Sequence, residues 1–199
     1  MGTLDSNEVI DRFRRSGALL EGHFVLSSGL HSSIYLQCAL VLQHPVEAEA
    51  FGAALGQQYR GQGIETVASP AIGGLIIGHE VARALGARFI WTERDQDVRM
   101  TLRRGFVVRP HEKILVVEDV ITTGGSTRET IEALTSSGAS VIGAGSIIDR
   151  SAGQADVGVS LVSLATLEVP AVAASQCESC ARGEPTIKPG SKKKMTGDG

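Results

Sequence analysis

The chain from Ile64 onward alternates short, mainly apolar segments with segments of helical length, and this alternation constrains the fold more than any other feature. Five apolar segments are predicted to be strands, at residues 64–69, 87–92, 114–119, 140–147 and 159–166. Residues 74–85 and 125–137 are predicted to be helices, and Gly138 follows the second as a helix-ending glycine does. Strands that are apolar on both faces lie in parallel sheets covered by helices. The sequence therefore predicts an α/β fold with a mostly parallel sheet flanked by helices.

The segments outside this pattern are predicted from their breakers and charges. Residues 5–16 are predicted to be a helix, and residues 17–44, which glycines interrupt, to be short strands and turns. Pro45 is predicted to open a helix over 46–60. Residues 93–113 carry five arginines and interrupt the strand–helix alternation. A long charged excursion between two core strands is typical of a functional or mobile loop.

The composition narrows the class of protein. A chain of 199 residues with 42% hydrophobic residues is predicted to form one domain over 1–190, followed by a disordered polar tail at 191–199. A net charge of −3 disfavours a nucleic-acid surface, and no apolar run is long enough to span a membrane. The first residues lack the layout of a secretory signal, and three cysteines do not make a disulfide framework. These features predict a cytoplasmic protein.

One loop carries the strongest functional signal. The apolar strand at 114–117 is followed by Glu118 and Asp119, by residues 120–126 (VITTGGS), and then by a predicted helix. Ligands of α/β proteins bind beyond the carboxyl ends of the strands. Adjacent glycines let backbone N–H groups point at an anion, while hydroxyl side chains and a helix N-terminus add further donors. The loop is therefore predicted to hold a phosphate group.

The two carboxylates before this loop require a different partner, because they would repel a phosphate. Carboxylates suit the hydroxyls of a sugar, or a Mg²⁺ ion that bridges a sugar and a polyphosphate. Glu118 and Asp119 next to a phosphate loop thus predict a sugar phosphate as the ligand. The alternative interpretation is structural: a buried strand, an acidic turn and a helix N-cap, with glycines that serve only the turn.

Residues 116–126 resemble the phosphoribosyl diphosphate (PRPP) signature of type I phosphoribosyltransferases. The rest of the chain resembles the short bacterial form of the orotate phosphoribosyltransferase family. Further matching stretches are residues 17–45, 69–78, 146–151 and 164–170, followed by Cys177 and Cys180. The resemblance covers nearly all of residues 4–190. It implies the type I phosphoribosyltransferase fold, with a small N-terminal hood at 17–44, matched at 27–29 and 35–36, and a core at 46–170.

The resemblance also implies a reaction in pyrimidine (UMP) biosynthesis. Orotate and PRPP would give orotidine 5′-monophosphate and pyrophosphate, with Mg²⁺ held through PRPP rather than directly by the protein. The implied PRPP-binding residues are Glu118, Asp119, Val120, Ile121, Thr122, Thr123, Gly124, Gly125 and Ser126. The implied pyrophosphate loop consists of Ala71, Ile72, Gly73 and Gly74. Thr122 and Arg150 are implied to bind orotate, whose carboxylate suits a guanidinium group.

The arginine-rich segment resembles a mobile catalytic loop that closes on the site of the neighbouring subunit, which implies a homodimer with a shared active site. Positive groups must meet the departing pyrophosphate, and water must be excluded from the reacting sugar. Asp119 and Arg94 are the predicted catalytic residues, and Arg99, Arg103 and Arg104 are further candidates.

This chain departs from the better-known enterobacterial form of the family at several charged positions. That form has lysines where this chain has Ser27, Gly73 and Asp97, so no catalytic lysine is predicted. Cys177 and Cys180 offer two ligands where zinc requires four, and Cys38 is remote in the sequence. The favoured interpretation is a pair of reduced structural cysteines; a metal site would need a dimer or an additional histidine.

Two other functions stay open. The PRPP loop is common to phosphoribosyltransferases for other bases, and the same fold also serves PRPP-sensing regulators without catalytic activity. The hood at 17–37 and Arg150 favour orotate, while the acidic net charge disfavours a DNA-binding regulator. The predicted partners are therefore the small molecules PRPP and orotate, rather than a nucleic acid or a membrane.

Overall fold

The computed structural model describes residues 4–26 and 29–188. Contacts between residues divide the chain into two compact units. The core unit comprises residues 1–18 and 38–168, and the hairpin unit comprises residues 19–37 and 169–199. The predicted tail at 191–199 lies outside the described residues, as do Ser27 and Ser28 of the predicted hood. One domain over 1–190 stays a prediction.

Nine strands and six α-helices lie within the described residues. The strands are β1 (Leu19–Val25), β2 (His31–Leu36), β3 (Thr66–Pro70), β4 (Arg88–Arg94), β5 (Met100–Leu102), β6 (Lys113–Ile121), β7 (Ser140–Asp149), β8 (Leu161–Thr166) and β9 (Ala171–Val172). The helices are α1 (Ser6–Arg15), α2 (Cys38–Leu42), α3 (Pro45–Gln57), α4 (Gly74–Leu85), α5 (Gly125–Ser136) and α6 (Glu178–Ala181), with a 3-10 turn at Ala174–Gln176. None of the helices in the described ranges is long and apolar enough to cross a bilayer.

The core unit is built on a six-stranded sheet in the order β5-β4-β3-β6-β7-β8. Every neighbouring pair is parallel except β4 and β5. Strand β6 lies in the interior of the sheet, and Ile114, Leu115, Val116 and Val117 are fully buried. The prediction of a mostly parallel sheet flanked by helices is confirmed, because strands buried on both faces carry apolar residues without alternation.

Most helices begin and end where their local chemistry predicts. Asp5 caps α1 by accepting the backbone N–H of Glu8 at 2.8 Å, and Pro45 occupies the first turn of α3. Helix α4 has the predicted bounds. The expectation of strands and turns throughout 17–44 was wrong at its end, where Cys38 and the apolar residues after it form the short helix α2.

The arginine-rich segment contains more regular structure than expected. Strand β4 continues to Arg94, and the chain then turns back into the antiparallel strand β5. The carboxylate of Asp95 closes the turn by accepting the backbone N–H groups of Asp97 and Arg99, both at 2.9 Å. The first part of the predicted excursion is therefore an ordered hairpin at the edge of the sheet.

The hairpin unit joins two distant parts of the chain. Strands β1 and β2 pair antiparallel, and the two-residue strand β9 adds to the other edge of β2. Further along, the backbone of Ile187 donates to the His23 carbonyl at 2.7 Å and accepts from Val25 at 2.9 Å. Residues 169–188 are thus part of this unit, although the sequence assigned the predicted hood to the N-terminal segment alone.

Candidate active site

Glu118 and Asp119, the acid pair, lie at the carboxyl end of β6, an interior strand of the core sheet. Both carboxylates are partly buried and bond to the neighbouring backbone. Glu118 accepts the N–H of Asp119 at 3.2 Å, and Asp119 accepts the N–H of Val120 at 2.8 Å. These short-range bonds fix the two carboxylates at the strand end, where the ligands of α/β sheets bind.

The segment after the acid pair forms a concave loop that leads into α5. Gly124 has a φ of 74°, and a Cβ at this position would lie 2.7 Å from Cγ1 of Val157, so both backbone and space require glycine. The N–H groups of the first turn of α5 have no partner within the helix. A small pocket is lined by Glu118, Val120, Ile121, Thr122, Thr123, Gly124, Gly125, Ser126 and Thr127. Nearly all of the predicted PRPP residues therefore face one cavity.

A second loop, at residues 70–74, meets the acid pair from the neighbouring strand β3. A Cβ on Gly73 would lie 2.8 Å from Oδ1 of Asp119, and one on Gly74 would lie 2.9 Å from the carbonyl oxygen of Val117 and 3.1 Å from Oε1 of Glu118. These distances leave no room for a side chain at either position. The glycines of the predicted pyrophosphate loop thus allow its backbone to touch the predicted ribose-binding carboxylates.

Burial and mutual repulsion shape the charge of the acid pair. Burial, and then the neighbouring Asp119 carboxylate, raise the pKa of Glu118 well above its ordinary value. Two carboxylates this close resist carrying two negative charges, so Glu118 holds a proton to higher pH than an exposed glutamate does. Burial, and then the charge of Asp119, also raise the pKa of the Cys38 thiol well above its ordinary value.

Cys38 is a site neighbour that the sequence interpretation missed. It lies on α2, is 3% exposed, and its thiol lies beside the Asp119 carboxylate. The prediction of strands and turns at 17–44 gave no reason to bring residue 38 to the end of β6. Only the packing of α2 within the core unit reveals this contact.

The predicted orotate residues lie at adjacent strand ends. The backbone N–H of Arg150, directly after β7, donates to the carbonyl of Ile121 at 2.8 Å, and Thr122 follows Ile121. The buried carboxylate of Asp149 fixes the turn beyond Arg150 by accepting the N–H and hydroxyl of Ser151 at 2.7 and 2.6 Å. The structure therefore brings Thr122 and Arg150 together next to the phosphate loop.

The predicted catalytic arginine lies at the end of β4, outside the pocket. Its guanidinium binds Glu129 of α5 at 2.7 Å and the carbonyl of Val98 at 2.5 Å. Arg104 binds Glu93 at 2.5 Å, and Arg103 lies 3.8 Å from the same carboxylate. Arg104, and next the indole N–H of Trp91, lower the pKa of Glu93. The structure thus ties these arginines to local carboxylates and does not bring them to the acid pair.

Several known proteins and one domain family are similar to this chain. A phosphoribosyl transferase domain family matches residues 40–175. The orotate phosphoribosyltransferase of Pelotomaculum thermopropionicum is 52% identical over 187 residues, which cover 94% of this chain and 98% of that protein. The crystal structure of orotate phosphoribosyltransferase from Aeropyrum pernix is 30% identical, with a TM-score of 0.65, and the match covers 80% of this chain and 94% of that one.

A further solved structure supports the fold. The orotate phosphoribosyltransferase of Mycobacterium tuberculosis in complex with PRPP has a TM-score of 0.66 and 23% identity, over 82% of this chain and 97% of that one. The predicted type I phosphoribosyltransferase fold and the predicted family are thereby confirmed. The acid pair, the loop at 122–126 and the loop at 70–74 (the glycine loop) lie together at the carboxyl ends of the strands. The chain belongs to the orotate phosphoribosyltransferase family, which is a family of pentosyltransferases.

Proposed function

We propose that this chain transfers the phosphoribosyl group of PRPP to orotate in pyrimidine (UMP) biosynthesis. In this reaction the bond between C1 of the ribose and pyrophosphate breaks, and a ring nitrogen of orotate bonds to C1. One observation carries the proposal: the acid pair, the loop at 122–126 and the loop at 70–74 meet at the carboxyl ends of β3 and β6. A substrate with a phosphate, a ribose and a diphosphate needs these three surfaces side by side.

The pocket after β6 suits the half of PRPP that stays in the product. The backbone N–H groups and hydroxyls of Thr122 to Ser126 would hold the 5′-phosphate, because the start of α5 favours an anion. The carboxylates of Glu118 and Asp119 would accept hydrogen bonds from the ribose hydroxyls. A Glu118 that keeps its proton lowers the negative charge that the substrate phosphates meet.

The glycine loop suits the diphosphate that leaves. Its backbone at Gly73 and Gly74 approaches the acid pair closely, so a diphosphate on Ala71 to Gly74 would lie next to a ribose on Asp119. Mg²⁺ fits this arrangement, because it takes oxygen ligands and is often bound by one or two carboxylates together with substrate phosphates. The ion would be held through the PRPP that Glu118 and Asp119 bind, and it would neutralise charge on the departing pyrophosphate.

The proposed orotate site uses the adjacent ends of β6 and β7. Arg150 carries a guanidinium whose fork geometry suits the carboxylate of orotate, and Thr122 offers a hydroxyl one residue beyond Ile121. Purine bases carry no carboxylate. The guanidinium of Arg150 is therefore the proposed source of preference for orotate over a purine base.

Arg94 is proposed to reach the reacting groups of a neighbouring subunit in a cytoplasmic homodimer with a shared active site. Three features support this role. Arg94 is exposed at the edge of the sheet, its Glu129 partner is also exposed, and the segment at 93–113 carries four further arginines. An exposed ion pair is weak, so Arg94 can exchange Glu129 for the more negative pyrophosphate.

Arg94→Ala is expected to lower kcat about 30-fold while changing KM for PRPP less than about threefold, as for a contact made mainly in the transition state. Steady-state kinetics at saturating Mg²⁺ measure both constants. Arg83→Ala is a matched control, because Arg83 is also exposed and paired with carboxylates, on the outer helix α4. An unchanged kcat in Arg94→Ala would remove Arg94 from the catalytic residues.

The proposed function is tested by mixing the protein with PRPP, Mg²⁺ and orotate and following the loss of orotate absorbance. Turnover of orotate, with none of adenine, hypoxanthine or guanine, is expected. Turnover of a purine base instead would favour a phosphoribosyltransferase for another base. PRPP binding without transfer to any base would favour a PRPP-sensing regulator.

A further inference from the structure

Four side chains of metal-binding types converge in the hairpin unit. His23 lies on β1 and His31 on β2, whereas Cys177 directly precedes α6 and Cys180 lies within it. One ligand atom from each of these residues lies within 4.8 Å of the other three. The two imidazoles are only 5% and 7% exposed. The cluster thus joins the hairpin to a segment about 150 residues further along the chain.

Hydrogen bonds alone do not account for this convergence. Nδ1 of His23 lies 3.0 Å from the carbonyl oxygen of Glu184, which can only accept, so Nδ1 carries the proton. In the neutral ring Nε2 then has a single lone pair. Yet Nε2 lies 2.7 Å from Nδ1 of His31 and 3.4 and 3.5 Å from the sulfurs of Cys177 and Cys180. A single lone pair cannot serve three neighbours through hydrogen bonds, whereas one central cation can bind all four groups.

Four pairs of ligand atoms lie within 3.5 Å of each other, and three of these four distances match a tetrahedral zinc site. Zinc bonds of about 2.3 Å to sulfur and 2.0 Å to nitrogen place a sulfur and a nitrogen about 3.5 Å apart. Three of the four sulfur–nitrogen distances are 3.4, 3.5 and 3.4 Å, and the fourth, from Cys177 to His31, is within 4.8 Å. The two nitrogens would move from 2.7 Å to about 3.3 Å apart, which a small rotation of either ring provides.

We propose that His23, His31, Cys177 and Cys180 bind a structural zinc ion, independently of the transferase activity. Two thiolates and two imidazoles are a donor set that zinc favours in tetrahedral sites. The N–H of His23 that donates to the Glu184 carbonyl orients the ring and leaves Nε2 for the metal, as is usual for a histidine ligand. Four protein ligands fill the coordination shell, so the ion stabilises the fold and does not activate a substrate.

The hairpin unit has a small apolar core, so such a cross-link would stabilise it. Among its described residues the buried apolar side chains are Leu19, Phe24, Leu36 and Val169. A unit with so small a core gains stability from a metal that joins its separate segments. The zinc ion would attach residues 177–187 to β1, next to the backbone bonds between Ile187 and the strand. His23 and His31 supply the additional histidine ligands that the sequence analysis required for a metal site at Cys177 and Cys180.

The proposal is tested on the full chain, purified under reducing conditions without chelators. Elemental analysis is expected to find about one zinc per chain. Protein stripped by a strong chelator and titrated with Co²⁺ should develop the visible absorption of a tetrahedral thiolate site, saturating at one equivalent. Chelation should also speed proteolytic cleavage within residues 169–188, and zinc should reverse this effect.

Matched variants assign the ligands. Cys177→Ser/Cys180→Ser and His23→Gln are each expected to reduce zinc to below about 0.2 per chain, because loss of one or two ligands weakens a closed site severely. Cys38→Ser and His79→Gln, which change the same residue types in the core unit, should keep the full zinc content. If a ligand variant fails to fold, the cobalt titration of the unaltered chain still decides. A Cys177–Cys180 disulfide without zinc, and no cobalt spectrum after reduction, would overturn the proposal.

Discussion

Asp119→Asn is expected to lower kcat/KM for PRPP about 100-fold, equivalent to about 2.7 kcal/mol, while the dissociation constant for orotate changes less than about threefold. Asp119 touches the glycine loop, and a charged acceptor gives stronger hydrogen bonds to ribose hydroxyls than a neutral amide does. Because the amide keeps the shape of the side chain, the fall in kcat/KM measures the contribution of the negative charge of Asp119. Steady-state kinetics in PRPP and equilibrium binding of orotate measure the two effects.

The control for this prediction is Glu132→Gln, which removes a carboxylate from an exposed position of α5. It should leave kcat/KM within about twofold of the unaltered chain, since surface charges contribute little. An Asp119→Asn variant that weakens orotate binding as much as PRPP use would contradict the assignment of Asp119 to the ribose. The carboxylate would then serve the base or the fold.

Glu112→Gln is expected to lower the free energy of unfolding at pH 7 by about 3 kcal/mol without a matching loss of kcat. The carboxylate of Glu112 is fully buried, at the end of the sheet opposite the PRPP pocket. It accepts the Thr66 hydroxyl at 2.5 Å, the Arg88 guanidinium at 2.9 Å and the Arg109 backbone N–H at 2.8 Å. Glutamine would keep the volume but leave the Arg88 guanidinium without its buried counter-charge.

The pH dependence of this effect follows from the pKa of Glu112. Burial alone would raise the pKa, but the bonds from Arg109 and Thr66 and the charge of Arg88 outweigh it and lower the pKa to about 2. A carboxylate with a lowered pKa stabilises the fold fully above its unfolded value of about 4.5 and loses that contribution as the pH falls towards 2. The difference between Glu112→Gln and the unaltered chain should therefore shrink between pH 4.5 and pH 2.

Urea unfolding followed by the fluorescence of Trp91, the single tryptophan, measures both effects. Glu65→Gln is the matched control, because Glu65 also pairs with Arg109, at 3.0 Å, but its side chain is 44% exposed. It should lower the free energy of unfolding by less than about 1 kcal/mol. Equal effects of the two substitutions at pH 7 would show that burial of Glu112 does not set the size of its contribution.

The sheet was predictable from the sequence because its central strands are largely buried on both faces. Strands β3, β6 and β7 carry apolar residues without alternation, and such segments have few alternatives to a parallel sheet. Strand β5 was not predicted, since three residues within a charged segment carry too little pattern. Helix α2 was also missed, because a five-residue apolar run has no helical period to detect.

The pocket-lining loop after β6 could be singled out from the sequence, whereas its spatial neighbours could not. Local chemistry identified Glu118 to Ser126, since a strand end, two carboxylates and adjacent glycines all lie within one short segment. The approach of Gly73 to Asp119 and the contact of Cys38 with the same carboxylate arise from packing between distant segments. No spacing in the sequence encodes these two contacts.

The histidine–cysteine cluster could not be predicted either, because its residues are even further apart in the sequence. Cys177 and Cys180 stood out as a pair, but His23 and His31 are separated by seven residues and lie on different strands. The pairing of β1 with β2, and the return of the chain near Ile187, bring all four together. A metal set with this spacing becomes evident only from the tertiary structure.

Residues 118–127 are proposed to hold the ribose and 5′-phosphate of the substrate. Backbone amide resonances of the ¹⁵N-labelled chain, followed by NMR during a titration with ribose 5-phosphate, test this proposal most directly. The largest saturable shifts are expected on Thr123 to Thr127, with smaller ones at Glu118 and Asp119. Shifts confined to other parts of the chain, with these amides unmoved at saturation, would contradict it.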